Sequence, residues 1–162
     1  MNVQLVSPTV EMARMEHLPA TKRLADKHKR ELGFINQAML QKAIETDSLL
    51  VATLAIDASE AERVGTEIEL AGFVHFYVRR DSVVTLYSIV VAQDYRRRGL
   101  GRRLFAELVR IACSRGKTEI RLKCPIELPA NAFYKHLGLK IAHVEEGKHR
   151  PLNVWTYTMH NQ

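Results

Sequence analysis

Val83-Val84-Thr85-Leu86-Tyr87-Ser88-Ile89-Val90-Val91, then Ala92-Gln93-Asp94-Tyr95, then Arg96-Arg97-Arg98-Gly99-Leu100-Gly101: this stretch decides the fold. The first part is apolar and β-branched, which predicts a strand. The last part opens a segment with apolar residues at Leu100, Leu104, Leu108, Ile111 and Ala112, the spacing of a helix face. A strand therefore runs into an Arg/Gly loop, and the loop runs into a helix. The first N–H groups of a helix have no internal partner, and the helix dipole leaves partial positive charge there. Glycines let backbone approach a phosphate and arginines add charge. The expected ligand is the pyrophosphate of a cofactor or nucleotide.

Outward from that loop, the chain punctuates itself clearly. Val3 to Val6 reads as a first strand, followed by helices over Thr21 to Leu32 and Asn36 to Thr46, broken at Gly33, with Asn36 as N-cap. Strands follow at Leu49 to Ile56 and Ile68 to Arg79, separated by a polar loop from Asp57 to Gly65. Arg80-Asp81-Ser82 is a turn into the Val83 to Val91 strand. The helix from Gly99 to Arg115 stops at Gly116, and Thr118 to Cys124 is a strand closed by Pro125. Ala130 to Leu137 is a short helix ended by Gly138, and Leu139 to Val144 and Asn153 to Thr158 are a last strand pair. The order β-α-α-β-β-β-α-β-α-β-β implies an α/β fold with a mixed sheet covered by helices.

Composition narrows the class. The 162 residues are 46% hydrophobic and 26% charged, ordinary for a globular chain, and their number predicts one domain over residues 1–162. No apolar run approaches the roughly 20 residues of a membrane span. The first residues lack a basic segment followed by an apolar one, so no signal peptide is expected. Cys113 and Cys124 have no metal-type spacing, and the seven histidines form no ligand pattern, so two reduced thiols in a cytoplasmic protein without metal are expected. The net charge of +6 comes from 24 basic and 18 acidic residues, and Arg96, Arg97, Arg98, Arg102 and Arg103 cluster at the loop. Aromatic residues make up only 7%, which argues against a nucleic-acid surface with interleaved aromatics.

The Arg96-x-x-Gly99-x-Gly101 loop, with Val91, Tyr95 and Leu104 around it, resembles the acetyl-CoA signature Gln/Arg-x-x-Gly-x-Gly/Ala of the GNAT acetyltransferase superfamily. Gln93 stands where that family commonly has proline. A second segment, Asn131-Ala132-Phe133-Tyr134-Lys135-His136-Leu137-Gly138-Leu139, resembles the family's Phe/Leu-Tyr-x-x-x-Gly-Phe. The resemblance covers about Leu49 to Thr158. It implies a GNAT-like, mixed and mostly antiparallel sheet of about seven strands, splayed between the fourth and fifth, with helices on both faces.

The resemblance also implies roles. Main-chain N–H groups from about Arg97 to Arg102, including those of Gly99, Leu100 and Gly101, would hold the pyrophosphate, with Arg96, Arg97, Arg98 or Arg102 adding side-chain contacts. The glycines are expected because a Cβ would push the phosphate away. The backbones of Ile89, Val90 and Val91 would pair with the pantetheine arm as with another strand. A backbone N–H at Val91 or its neighbour would hold the oxyanion. Asn131 would reach the cofactor or cap a helix, and Phe133 would pack on the arm or in the core. Tyr134 would act as general acid to the leaving thiolate.

No carboxylate lies on the fourth strand, where the family often keeps its base. His75 is the candidate instead, against the reading of a partly exposed strand histidine, with Glu31 and Tyr87 behind it. The implied activity is an acyltransferase other than an aminoacyl one: acetyl moves from acetyl-CoA to a primary amine by direct attack. The acceptor would be a small molecule or a peptide, and a homodimer is common in the family. Two alternatives stay open: a catalytically silent acyl-CoA-binding module and a basic nucleic-acid-binding protein.

Overall fold

The computed structural model describes residues 7–54 and 68–160. The strand expected at Val3 to Val6, the end of the Leu49 to Ile56 strand and the polar loop from Asp57 to Gly65 lie outside the described residues. Among the described residues seven strands form one mixed sheet: β1 Thr9–Met12, β2 Leu49–Thr53, β3 Leu70–Val78, β4 Val83–Val91, β5 Glu119–Pro125, β6 Lys140–Glu146 and β7 Pro151–Thr158. Their order across the sheet is β1-β2-β3-β4-β5-β7-β6. The described helices are α1 Leu18–Lys27, α2 Lys29–Leu32, α3 Gln37–Glu45, α4 Leu100–Ser114 and α5 Ala130–His136. Short 3-10 turns precede α1 at Met15–His17 and α4 at Gln93–Tyr95.

By backbone contacts the chain groups into two units, Met1–His75 with Ser88–Leu104, and Phe76–Tyr87 with Phe105–Gln162. In the first unit β1, β2 and β3 are antiparallel, with Leu49 opposite His75 and Val51 opposite Phe73. Leu24, Ala25, Leu40, Ile44, Leu49, Val51, Phe73 and Val90 form its core. Each large apolar side chain among them contributes about 1.5–3 kcal/mol through burial. Helix α1 starts earlier than the spacing predicts, because Pro19 serves the first turn and Thr21 Oγ1 donates to the His17 carbonyl at 2.8 Å. Asn36 caps α3 as expected, its side-chain oxygen accepting from Met39 N–H at 2.8 Å.

In the second unit β4 and β5 are parallel over three pairs, Val83 with Glu119, Val84 with Ile120 and Thr85 with Arg121. Strand β7 runs antiparallel to β5 along its whole length and to β6 on its other side. Both helices here end alike. After α4, Gly116 (φ +71°) donates to Cys113 and Lys117 to Ala112. After α5, Gly138 (φ +95°) donates to Lys135 and Leu139 to Tyr134. This is the Schellman closure, in which a glycine takes the left-handed conformation and the next residue reaches back to the last turn. The family spacing Tyr134-x-x-x-Gly138-Leu139 is thus the sequence of a helix end, and it pins the Tyr134 backbone.

Candidate active site

The first unit carries the loop. Strand β4 ends at Val91, and Ala92 N–H donates to the Ala71 carbonyl at 2.8 Å, securing the strand end. After the Gln93–Tyr95 turn the backbone is extended at Arg96, left-handed at Arg97 (φ +63°) and left-handed again at Gly99 (φ +77°). The chain then enters α4, whose first turn contains no acidic residue. Left-handed residues turn successive N–H groups inward into an anion-binding concavity, and the first turn of α4 adds its own donors. Leu100 and Gly101, the first residues of α4, are buried. No protein atom lies within 4 Å of where a Gly99 Cβ would be, and its positive φ is a second, independent reason for glycine at this position.

The loop arginines divide by what they touch. Arg96 Nε donates to the Val91 carbonyl at 3.0 Å, and its guanidinium lies 4.0 Å from Glu31. Arg98 stacks 5.8 Å above the Tyr95 ring. Arg103 spends its guanidinium on Pro8 O (2.8 Å) and Ser7 Oγ (3.3 Å). Arg97 and Arg102 are exposed and make no side-chain hydrogen bond or ion pair with the described residues. Two cations are therefore uncommitted at the mouth of a helix.

A residue that sequence reasoning missed supports this region. A Cβ on Gly72, in β3, would stand 2.5 Å from the Val90 carbonyl and 3.1 Å from a Leu104 methyl. Only glycine lets β4 and the first turns of α4 come this close. The available signal was a glycine inside a strand pattern. A cavity of about 490 Å³ lies in the same unit, lined by α1 residues Arg23, Lys27 and His28 and by Gln93, Asp94 and Tyr95.

His75 is buried, at 8% exposure, where the sequence expected a partly exposed histidine. Burial lowers its proton affinity below the ordinary value, so the ring is neutral near pH 7. Tyr87 is exposed on β4.

The second unit carries Tyr134, on α5. Its ring lies 5.8 Å from Phe133 and 6.2 Å from Trp155, centre to centre. Burial, and to a lesser degree the Cys124 thiol, pushes its proton affinity well above that of free tyrosine. Its hydroxyl makes no hydrogen bond with the described residues, and because no buried side-chain oxygen among them lacks a partner, the hydroxyl reaches the surface of this half-buried residue. Asn131 is differently placed. Its Nδ2 donates to the carbonyls of Pro125 (2.8 Å), Ile126 (3.3 Å) and Leu128 (2.8 Å). Its Oδ1 accepts from Trp155 Nε1 (2.8 Å) and Asn153 Nδ2 (3.1 Å). The amide has thus used its two hydrogens and both oxygen lone pairs inside the protein. It does not cap α5, whose N-cap position is Pro129.

The family model described as Acetyltransferase (GNAT) family matches residues 23–139. The chain belongs to the GNAT acetyltransferase family. A search of the curated proteins finds no match. Among solved structures, the fold is similar to Ard1 from Thermoplasma volcanium (TM-score 0.78, 17% identity, 96% of this chain and 100% of that one). It is also similar to the ribosomal-protein-S18-alanine N-acetyltransferase from Escherichia coli (TM-score 0.69, 21% identity, 96% and 97%). A third likeness is to N-acetylglutamate synthase from Neisseria gonorrhoeae complexed with coenzyme A and N-acetyl-glutamate (TM-score 0.75, 13% identity, 95% and 35%). The seven-stranded mixed sheet with its parallel β4–β5 pairing agrees with the GNAT fold that the sequence implied. The acyltransferase class follows from the family. Among the described residues no helix is long and apolar enough to cross a membrane.

Proposed function

We propose that this acetyltransferase moves an acetyl group from acetyl-CoA to a primary amine by direct attack, with Tyr134 as the acid. The observation that carries the reading is the Arg96–Gly99 loop. Two left-handed residues lead into a helix whose first turn has no acidic residue, beside two uncommitted arginines, in a chain of this family. That arrangement fits a pyrophosphate. The N–H groups from Arg97 to Arg102 would donate to it, and the Arg97 and Arg102 side chains would add charge. Arg96, already on Val91, would hold the strand end and the loop together. The backbones of Ile89, Val90 and Val91 would hold the pantetheine arm. In support, the β4–β5 ladder uses only Val83 to Thr85 of the nine residues in β4.

Acetyl-CoA supplies an activated acetyl thioester. The protein's own groups do the rest. Holding two reactants in register accounts for much of the rate in such a transfer. Tyr134 keeps its proton at any ordinary pH because burial disfavours the phenolate. It is therefore a hydrogen-bond donor waiting for negative charge to develop on the departing sulfur. His75, neutral near pH 7, is the proposed proton acceptor. Asn131 enters as a positioning residue, since its amide is saturated by the protein. Two of the structural neighbours are named as an alanine N-acetyltransferase and an N-acetylglutamate synthase, and both names put the acetyl group on nitrogen, which favours an amine acceptor here.

The test is Tyr134→Phe, assayed for CoA release against a panel of primary amines. Turnover should fall about a hundredfold, while acetyl-CoA affinity stays as in the parent protein. Unchanged turnover would remove Tyr134 from the chemistry. Absence of turnover in the parent with every amine, alongside tight acetyl-CoA binding, would favour a silent binding module.

A further inference from the structure

Two aromatic rings flank that of Tyr134, whose hydroxyl makes no hydrogen bond with the described residues. Phe133 is its chain neighbour and turns with the same helix. Trp155 comes from β7 and is fixed independently. Its indole is 4% exposed, and its N–H donates to Asn131 Oδ1 at 2.8 Å. Asn131 lies on α5 three residues before Tyr134, one turn along the same helix face. The same oxygen accepts from Asn153, two residues before Trp155 on β7. The opposite end of the amide ties down the turn from Pro125 to Leu128.

We propose that Trp155 is a positioning residue for Tyr134: the indole N–H to Asn131 bond fixes the angle of the ring against which the phenol rests. The inference rests on the reading of Tyr134 as the acid. A side chain aimed by packing can drift when its neighbour tilts, and a misplacement of about 1 Å can cost up to a hundredfold in rate. Trp155 touches neither the acceptor nor the reacting sulfur in this account. It acts only by where it holds the phenol.

Trp155→Phe keeps an aromatic ring and removes the N–H. It should lower kcat about tenfold and leave KM for acetyl-CoA unchanged. The deciding comparison is the double variant. If Trp155 acts through Tyr134, adding Trp155→Phe to Tyr134→Phe should change kcat no further. Unchanged kcat in the single Trp155 variant, or independent multiplication of the two losses, overturns the proposal. A Tyr134→Phe variant with parental kcat overturns the acid reading beneath it instead, so the two failures differ. A second measurement needs no substitution. Trp155 is the chain's single tryptophan, so intrinsic emission reports it alone. Saturating acetyl-CoA should shift or quench that emission through the phenol it rests against. Emission unchanged by bound acetyl-CoA overturns the proposal even if Trp155→Phe fails to fold.

Discussion

Two glycines illustrate how differently one residue type can be required. Gly99 has open space around its missing Cβ but a φ of +77°. Alanine there is strained by about 1–2 kcal/mol, the cost of the left-handed conformation for a residue with a Cβ. Gly99→Ala should lower thermal stability by that amount and weaken acetyl-CoA. Gly99→Asn, which tolerates that conformation better, should recover most of the stability. Equal damage from Asn and Ala in melting curves would show that strain is not the cause. Gly72 is the reverse case: its Cβ would press on the Val90 carbonyl at 2.5 Å. Gly72→Ala should cost about 1–3 kcal/mol through overpacking. The sequence made Gly99 visible because its place in a motif is legible. Gly72 was not singled out, because nothing local says which strand will press against it. The same holds for His75 and Asn131: residue type is readable in sequence, but burial and the number of bonds already made are properties of the packed structure.

At the level of elements, the loop and α4 allow a clean separation among arginines adjacent in sequence. Arg97 and Arg102 are exposed and uncommitted, whereas Arg103 holds Pro8 and Ser7. Arg97→Ala and Arg102→Ala should each weaken acetyl-CoA about tenfold or more, at roughly 1.5–3 kcal/mol per charged hydrogen bond, with little change in melting temperature. Arg103→Ala should do the opposite and leave acetyl-CoA affinity near parental. Titration of acetyl-CoA by thermal shift reads both quantities. A pattern in which all three behave alike would mean that only the net positive charge matters. Sequence located these elements well where strong signals bound them. β4 runs from Val83 to Val91 as read, and Gly116 and Gly138 stop their helices as read. It did worse where signals were weak. The first described strand is Thr9–Met12, where the pattern shows no strand, and the turn-like Gln93-Asp94 extends into a 3-10 turn over Gln93–Tyr95. Such short segments are set by what they dock on rather than by their own periodicity.

The whole molecule responds to pH through groups buried in each unit. His17 is buried, with Nδ1 accepting from Arg14 N–H at 2.8 Å and Nε2 3.4 Å from Glu11. Burial still lowers its proton affinity, outweighing the pull of Glu11 and Glu16, and burial does the same at His75. Below the ordinary histidine pKa of about 6.5, the unfolded chain therefore binds more protons than the folded one. Stability then falls as pH drops, by at most about 1.4 kcal/mol per pH unit for each histidine. Cys124 and Tyr134 set the other limit. Burial raises the proton affinity of both in the fold, so above pH about 8.5 for the thiol and about 10 for the phenol the unfolded chain sheds protons that the folded one keeps, and stability falls again. The expected profile is a plateau from about pH 6.5 to 8.5 with a loss on each side, the alkaline one steepening above about 10. Thermal unfolding from pH 5 to 11 measures it. Tyr134→Phe should soften the alkaline fall and leave the acidic one intact, because the acidic fall belongs to His17 and His75. A melting temperature that climbs as pH drops from 7 to 5 would mean that the buried histidines gain protons in the fold, and His75 could not then be the neutral proton acceptor proposed here.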